Sequence, residues 1–450
     1  MQTGACPVEL SANPAPNGPG PTIPADHGPA VTILSLHYPP EATGNAPYVG
    51  ALAAALAARD YRVHAYVAHP HYPEWRIRPG YGQWRRTESI DGVTVHRLRH
   101  VIPRPPRGLR RLVAELSFGA RLLSARFSRD SVVLAVSPAL FATAMAVLRV
   151  RLTRHRPRLV IWVQDIYTLG MRETAEGGQM STRITRCVEK FALGAADTVV
   201  VIHPRFADYL ADELNIDRDR LTVIRNWTHL GPAPAISKWE ARAALGWPVQ
   251  GLLAVHTGNM GAKQGLENIV AAARLADQAA APVTFVLVGE GGERAELQRQ
   301  AHGIDRIRFV DLLDEDDYRC ALAAADCLLV NEAPGVASMA VPSKLTSYFD
   351  AARPVLAATD PGGITAEEIR RAQAGAVVPA GDPRALLDGV LLLAHEDETT
   401  AGYGTSAGRY RREHLTADAP IAAFERVIRA AAGNFPGGQR PAARPTNARN

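Results

Sequence analysis

The chain has 450 residues, of which 47% are hydrophobic and 21% are charged, values typical of a soluble globular protein. This length predicts two domains of about 200 residues each. The 50 basic and 45 acidic residues leave a net charge of +5, too small to favour a nucleic-acid-binding protein. The four cysteines form no CxxC pair and no zinc-type spacing, which indicates reduced thiols in a cytoplasmic protein.

The two ends of the chain differ from its middle. Residues 1–29 contain seven prolines and four glycines. They have too few large apolar side chains to form a core, so they predict a disordered leader. They also lack the basic start and apolar centre of a secretory signal. Residues 434–450 are rich in proline, glycine and arginine and predict a disordered tail.

Short apolar runs alternate with helical patterns between these ends. The runs predict buried strands at residues 31–36, 62–68, 93–98, 131–137, 159–163, 197–202, 221–224, 252–256, 283–288, 307–310, 326–330 and 354–358. Strands that alternate with helices form parallel sheets, so ligands are expected at the carboxyl ends of the strands. The predicted organisation is an N-terminal domain at 30–230, a proline-rich linker at 231–240, a C-terminal domain at 241–405 and a C-terminal helix at 406–433.

One loop in the second half joins a predicted strand to an amphipathic helix, and it reads TGNMGAKQG at 257–265. Gly258, Gly261 and Gly265 allow backbone to approach a ligand closely, and the N-terminus of the following helix attracts anions. Lys263, one of only four lysines, adds a compact charge suited to phosphate. The spacing fits neither a P-loop nor a dinucleotide fingerprint. The loop predicts a diphosphate site, with an ordinary glycine-containing turn as the alternative.

Other polar residues follow other predicted strands. Asp165 lies after the strand at 159–163, and VGEGG carries Gly289 and Gly291 after the strand at 283–288. Asn331-Glu332 follows a further strand and precedes the segment VPSK, which ends at Lys344. These loops are the remaining candidates for a site at the carboxyl edge of a sheet.

Aspartates and histidines are the candidate metal ligands in this sequence. Asp217-Arg-Asp219 and the acidic run Asp314–Asp317 have a spacing known from metal and nucleotide-sugar sites, but aspartates beside helix starts also cap helices and form turns. We interpret both as structural. The fourteen histidines contain no HExxH and no clustered ligand spacing, so the sequence predicts no metal site.

A basic and aromatic stretch lies in the first half. Residues 60–130 contain fourteen arginines against six acidic residues. They are interleaved with Tyr72, Trp75, Tyr81, Trp84, Phe118 and Phe127. This combination suits an interfacial membrane patch, and the alternative is a solvated arginine-rich surface. Residues 131–148 are uncharged but are divided by Pro138 and weakly hydrophobic, so no transmembrane helix is predicted.

The loop sequences resemble those of a known family. The segments that carry the resemblance are GNMGAKQGLENIVAA, HYPPEATGNAPY, HPHYPEW, RNW at 225–227, VGEGG and VPSKLTSYFDAARPV. In order and spacing they resemble family 4 retaining glycosyltransferases of the colanic-acid type, from about Val31 to Ala432. The resemblance implies an α/β fold of the GT-B class, in which two Rossmann-like domains with parallel sheets face each other across a cleft. It also implies that the C-terminal helix crosses back to the first domain.

The resemblance implies roles for individual residues. Lys263 matches the family's phosphate-binding lysine, and Glu332 matches the first conserved glutamate, near the donor sugar. Asp165 lies where related enzymes place a polar residue near the reacting sugar. These three are the implied catalytic residues.

Other positions complete or depart from the family pattern. Gly44 lies in a loop that resembles the one closing over the donor diphosphate. Asn259 stands where the family has an arginine, and Ser347 where it has a second glutamate that holds the ribose. Lys344 is implied to replace part of that anchor with a phosphate contact. The implied donor-binding residues are Gly44, Gly258, Asn259, Gly261, Gly265, Gly289, Gly291, Lys344 and Ser347.

The resemblance therefore implies a metal-independent retaining glycosyltransferase without a cofactor. Its donor is expected to be a nucleoside-diphosphate sugar, with UDP or GDP, and its acceptor a lipid-linked saccharide of bacterial exopolysaccharide or cell-envelope glycan. The expected location is the cytoplasm, with contact to an anionic membrane surface and none to nucleic acid. The alternatives are a transferase with a soluble small-molecule acceptor, a nucleotide-sugar 2-epimerase and a non-catalytic membrane scaffold.

Overall fold

The computed structural model describes residues 29–41, 44–104, 108–124, 131–137, 139–154, 156–173, 178–228, 236–337, 343–394 and 398–433. The predicted tail, residues 1–28 of the predicted leader and residues 231–235 of the predicted linker lie outside these ranges.

The first domain is built on an eight-stranded sheet. Its strands are β1 (Ala30–Ser35), β2 (Val63–Ala68), β3 (Arg85–Ile90), β4 (Val93–Leu98), β5 (Ser131–Ser137), β6 (Arg158–Val163), β7 (Thr198–Val201) and β8 (Leu221–Val223). They lie in the order β3-β4-β2-β1-β5-β6-β7-β8. All neighbours are parallel except β3 and β4. The central strands are continuous apolar runs because helices cover both faces of a parallel sheet.

The helices of this domain are α1 (Ala46–Ala57), α2 (Gly108–Leu122), α3 (Leu140–Leu152), α4 (Tyr167–Glu173), α5 (Gln179–Gly194) and α6 (Pro204–Asp212). Strand β5 and helix α3 lie on either side of position 138, which confirms that the uncharged stretch is divided there. Among the described residues, no helix has the length and apolar character needed to cross a membrane.

The second domain is built on a six-stranded parallel sheet. Its strands are β9 (Leu252–Thr257), β10 (Val283–Val288), β11 (Ile307–Val310), β12 (Cys327–Asn331), β13 (Val355–Ala358) and β14 (Gly375–Val378). They lie in the order β11-β10-β9-β12-β13-β14. Its helices are α7 (Lys238–Ala244), α8 (Glu267–Gln278), α9 (Arg294–Gln300), α10 (Glu315–Ala324), α11 (Lys344–Asp350), α12 (Ile364–Ala372) and α13 (Pro383–Ala394).

Two strands occur where the sequence predicts none. Strand β3 falls in a predicted loop, and β14 follows the last predicted strand. Both are edge strands whose residues are only partly buried or exposed. An edge strand does not need the continuous apolar run by which buried parallel strands are recognised, and β3 (RRTESI) has no such run. Strand β14 (GAVV) is apolar but has only four residues and begins with glycine, which is depleted in strands.

The C-terminal segment is two helices where the sequence predicts one. Helix α14 (Glu398–His414) packs against the second domain through Ala407 and Tyr410. Helix α15 (Asp418–Gly433) packs against the first domain, where Phe424 is fully buried with its ring centroid 4.6 Å from that of Trp162. Pro420 in the first turn of α15 cannot continue a helix that begins upstream, and the break lets the chain pass from one domain to the other.

Candidate donor and acceptor site

Three loops at the carboxyl edge of the second sheet pack together. The loop after β9 is bound to the loop after β10, because Met260 N donates to Glu290 O over 2.8 Å and Glu293 N donates to Met260 O over 2.9 Å. It is bound to the loop after β12 because Ala333 N donates to Lys263 O over 2.9 Å. The order β10-β9-β12 places these three loops side by side.

Glycines permit this packing. Gly289 has φ +132°, and a Cβ there would lie 2.2 Å from the carbonyl oxygen of Gly258. Gly265 has φ +53°, and a Cβ there would lie 2.8 Å from Ala333 Cα. Gly291 packs closely against the Met260 backbone. Close contact between loops therefore explains part of the glycine pattern. This agrees with the alternative interpretation of the loop as an ordinary glycine-containing turn.

The same loop presents polar side chains to solvent. Asn259 and Lys263 are exposed, while Met260 between them is buried. Gly261 separates Met260 from the short 3₁₀ turn Ala262–Gln264 that carries Lys263. Helix α8 begins just beyond this turn, so its N-terminus faces the same region. The backbone is thus held by buried contacts while the charged group stays available to a ligand.

Lys344 lies next to Gly258. Its Nζ is 3.2 Å from His256 Nε2, and a Cβ on Gly258 would lie 3.7 Å from that Nζ. Burial lowers the pKa of Lys344 to about 7, although the carboxylate of Glu332 opposes this shift. The loop that carries Lys263 is therefore contacted by a second lysine from a distant part of the chain.

Ser347, which stands where the family has its second glutamate, is buried in the second domain. Its side chain is 2% exposed on the packed side of α11, where it is hydrogen-bonded to Tyr318. Tyr318 in turn lies 3.2 Å from Thr257 Oγ1. In this arrangement Ser347 supports the loop from beneath and does not line its surface.

Glu332 follows β12 and is held by two threonines that carry no sequence signal. Its carboxylate accepts hydrogen bonds from the hydroxyls of Thr359 and Thr365, the second over 2.7 Å. Burial raises the pKa of Glu332 above its ordinary value, although both threonines and Lys344 lower it. The carboxylate is thus fixed in orientation beside the flanking lysine.

The first domain reaches this region from across the cleft. Glu173 at the end of α4 accepts a hydrogen bond from Ala337 N over 3.1 Å. Its charge also contributes to the raised pKa of Glu332. The loop after β12 is therefore one of the places where the second domain meets the first.

Asp165 and Gly44 lie at the carboxyl edge of the first sheet. Asp165, partly exposed after β6, interacts electrostatically with Tyr72 and Arg111. Gly44 has φ +65°, and a Cβ there would lie 3.8 Å from Tyr72 Cε1. Tyr72 therefore links the two positions, which come from loops after β1 and β6.

Two histidines and a glutamate that are not clustered in the sequence lie together in the first domain. His37, Glu41 and His71 have potential ligand atoms within 4.8 Å of one another, although the sequence shows no clustered histidine spacing. They meet because the loops after the neighbouring strands β1 and β2 lie together. His37 Nδ1 lies 2.7 Å from Glu41 Oε2, and Glu41 Oε1 accepts from the backbone N–H groups of His71 and Tyr72 over 2.7 and 2.9 Å. With both carboxylate oxygens occupied, the group joins the two loops, and metal independence stays a prediction.

The two acidic motifs are structural, as interpreted from the sequence. Asp217 accepts a hydrogen bond from Asp219 N at the start of a 3₁₀ turn, over 3.1 Å. Asp314 is the N-cap of α10 and accepts from Asp317 N over 2.9 Å. Their carboxylates satisfy backbone N–H groups at helix starts.

Two parallel-sheet domains that face each other across a cleft, with a cation-flanked glycine loop in the second, define the GT-B class of glycosyltransferases. Residues 43–227 match the family described as glycosyl transferase 4-like domain, and residues 252–396 match the family described as glycosyl transferases group 1. The chain belongs to the glycosyltransferases that contain these two domains, which confirms the fold class and the family resemblance of its loop sequences. It is a glycosyltransferase.

Known proteins of similar sequence and structure agree with this assignment. The chain is 29% identical over 334 residues to the putative colanic acid biosynthesis glycosyl transferase WcaI of Escherichia coli, which covers 71% of this chain and 80% of that protein. Sucrose-phosphate synthase from Thermosynechococcus elongatus has a similar fold, with a TM-score of 0.70, 18% identity and coverage of 89% and 98% of the two chains. HepE from Anabaena in complex with UDP-glucose has a TM-score of 0.63, 17% identity and coverage of 89% and 98%.

Proposed function

We propose that this glycosyltransferase moves a sugar from a nucleoside-diphosphate sugar to a lipid-linked saccharide in the assembly of bacterial exopolysaccharide or cell-envelope glycan. The observation that carries the proposal is the glycine loop at the carboxyl edge of the second sheet, which carries the exposed Lys263 and contacts Lys344 at Gly258. Two cations and a helix N-terminus at one loop suit a diphosphate. The UDP-glucose complex of HepE supports this donor class, and the colanic acid assignment of WcaI supports the acceptor class.

The proposed chemistry follows from where charge develops. The bond between the sugar C1 and the phosphate oxygen breaks, a C1–O bond to the acceptor hydroxyl forms, and the hydroxyl proton passes to the leaving phosphate. Negative charge grows on that phosphate, so fixed cations beside it lower the barrier. Glu332 lies near the donor sugar in this proposal, and Asp165 approaches from the first domain. Two cations in place of a metal imply that activity survives EDTA.

The acceptor side of the proposal depends on a basic and apolar surface on α2. Leu109, Val113 and Leu116 repeat at intervals of four and three residues and are 79%, 51% and 41% exposed. Arg110 and Arg111 lie beside them and are exposed. The helix carries one acidic residue, which is buried at position 115. This exposed face combines apolar side chains with positive charge, which favours an anionic membrane surface.

The aromatic residues of the basic stretch divide into different roles. Trp84 is exposed, and the guanidinium of Arg121 lies 3.8 Å from its ring centroid. Phe118 is a core residue and cannot enter a membrane interface. The rings of Tyr72 and Trp75 pack against each other beside the histidine cluster. Residues 125–130, which include Phe127 and two arginines, lie outside the described residues.

Helix α5 extends the surface beyond the basic stretch. Met180, Ile184 and Phe191 are exposed along one side of α5, with the exposed cations Arg183 and Lys190 among them. Helix α3 packs between α2 and α5 and exposes two leucines at positions 148 and 152. We include the outer faces of α2, α3 and α5 in one proposed membrane surface, because all three combine exposed apolar and basic side chains.

The activity is tested by incubating the protein with labelled UDP-, GDP- and dTDP-sugars and either a polyprenyl-diphosphate-linked saccharide or soluble extracts. Transfer to the lipid-linked saccharide is the expected result. Transfer only to a soluble product moves the small-molecule acceptor to first place, and turnover of donor without any acceptor favours the epimerase. A thermal-shift panel of the same donors identifies the nucleotide, because a ligand that binds the folded state raises its apparent stability.

The membrane surface is tested by sedimentation with anionic and neutral liposomes at low and high salt. The wild-type protein is expected to bind anionic liposomes at low salt, since surface attraction fades within about 8 Å at physiological ionic strength. Two triple variants are expected to bind less. One has serine at positions 109, 113 and 116 of α2, and the other has serine at positions 180, 184 and 191 of α5. Leu392→Ser, which changes an exposed leucine of the second domain, is the matched control. Equal, negligible binding by all proteins contradicts the membrane proposal.

A further inference from the structure

The strand that leads into the Gly258 loop contains a buried histidine outside the predicted site. His256 is 0% exposed in β9, and its Nδ1 lies 3.2 Å from the carbonyl oxygen of Leu329 in β12. A carbonyl oxygen only accepts hydrogen bonds, so Nδ1 carries the proton and Nε2 keeps its lone pair. Nε2 lies 3.2 Å from Lys344 Nζ, and the ammonium therefore donates to it.

The protonation state of His256 agrees with this geometry. Burial lowers the pKa of His256 well below its ordinary value, and the charge of Lys344 lowers it further. The imidazole is therefore neutral near pH 7. A protonated ring would offer no lone pair and would repel the ammonium, so the neutral form is the one that can hold Lys344.

The hydrogen bond leaves Lys344 with capacity for a ligand. An ammonium has three N–H groups. Among the described residues, Lys344 Nζ forms a hydrogen bond with His256 alone, so its other two N–H groups can donate to a ligand. Nζ lies against the Gly258 loop, since a Cβ added to Gly258 would be 3.7 Å from it. This is the loop that the proposed function assigns to the diphosphate.

We propose that His256 is a positioning residue for the donor diphosphate, which holds the Lys344 ammonium against the Gly258 loop through Nε2. The inference rests on the proposed donor class. A carboxylate at this place would also hold the lysine, but it would cancel the charge that attracts the phosphate. A neutral imidazole holds the ammonium without cancelling its charge, which suits an anion-binding role. A bound phosphate favours the charged form of Lys344 and so opposes the effect of burial on its pKa.

The test is a double-mutant cycle with His256→Leu, Lys344→Met and the double variant. Nucleotide affinity is measured by calorimetry with UDP and GDP, using whichever the wild-type protein binds more tightly, and with the corresponding nucleoside. Loss of a hydrogen bond to a charged group predicts about tenfold weaker diphosphate binding in His256→Leu, with nucleoside binding unchanged. In the Lys344→Met background the same change is expected to have no further effect.

Two more variants keep the proposal testable if leucine disturbs the fold. His256→Gln retains an acceptor oxygen and is expected to keep most of the diphosphate affinity, whereas His256→Met fills similar space without a strong acceptor and is expected to lose it. Independent, multiplicative effects of the two single changes overturn the proposal, as does an equal loss of nucleoside affinity or wild-type binding by His256→Met. A wild-type protein that binds neither UDP nor GDP overturns the proposed donor class itself.

Discussion

Arg225 of the first domain and Glu368 of the second form an ion pair at the domain interface. Glu368 is 3% exposed and lies on α12, where it also faces His203 of the first domain with Nε2 3.7 Å from its carboxylate. Arg225 Nη1 donates to Tyr410 Oη over 3.2 Å. Helix α14 and the chain after strands β7 and β8 therefore meet at one buried carboxylate of α12.

We predict that Glu368→Gln lowers stability by about 2 kcal/mol at pH 7, because it removes one member of a buried charge pair. Burial by itself raises the pKa of Glu368, but the polar contact with His203 and the charge of Arg225 outweigh it, so the pKa lies below its ordinary value of 4.5. The stabilisation is thus present above pH 4.5 and is lost as the pH falls through the folded-state pKa. Thermal melting of both proteins between pH 7 and pH 3 checks this, and the gap between them should narrow on acidification.

Glu367→Gln on the same helix is the control for that series. Glu367 is partly exposed and pairs with Arg205 over 3.0 Å and with Arg371 over 2.7 Å. Exposed pairs of this kind contribute at most about 1 kcal/mol. Equal destabilisation by the two glutamine variants would argue against a special role for the buried pair.

Lys263→Ala is expected to lose most activity while the fold persists. One fixed cation at a developing phosphate charge typically contributes about 10²- to 10³-fold to kcat. The side chain is exposed, so its removal leaves no cavity and the melting temperature should change little. Steady-state kinetics with the preferred donor test this, with Arg308→Ala, which removes an exposed cation on β11 of the same domain, as the control variant. Near-normal turnover in Lys263→Ala would remove the phosphate loop from the mechanism.

Glu332→Gln is expected to lower kcat more than it lowers nucleotide affinity. The amide can keep hydrogen bonds with Thr359 and Thr365, so the loop after β12 should stay in place while the negative charge near the donor sugar is lost. Turnover and UDP or GDP binding are measured on the same preparation. An unchanged kcat would make Glu332 a structural residue.

Gly289→Ala is expected to destabilise the second domain and to weaken donor binding together. A Cβ would lie 2.2 Å from Gly258 O, and the backbone at Gly289 has φ +132°. A strained conformation of this kind costs about 1–3 kcal/mol before the overlap is counted. Gly402→Ala, in α14 with no atom within 4 Å of the added Cβ, is the control and should be neutral or stabilising. Wild-type melting and donor binding in Gly289→Ala would show that the two loops can separate freely.

Much of the fold could be predicted from local patterns. Strands such as β1, β9 and β12 are buried on both faces of a parallel sheet and therefore appear in the sequence as continuous apolar runs. The edge strand β3 lacks such a run because one side of it has no neighbouring strand, and the apolar run of β14 is only four residues long. The break before α15 is signalled by Pro420, but which domain each helix contacts depends on packing over the whole chain.

The sequence by itself determined the family, the glycine loop around Lys263 and the strand ends that carry Asp165 and Glu332, because these are local patterns with fixed spacing. Only the tertiary structure decided which distant residues meet. His256 meets Lys344 at the loop edge where β9 and β12 lie side by side, and His37 meets Glu41 and His71 because β1 pairs with β2. Strand order has no local sequence signal, since it depends on which crossover connections bury the most apolar surface. The partners of a charged side chain are therefore known only once the sheet is assembled.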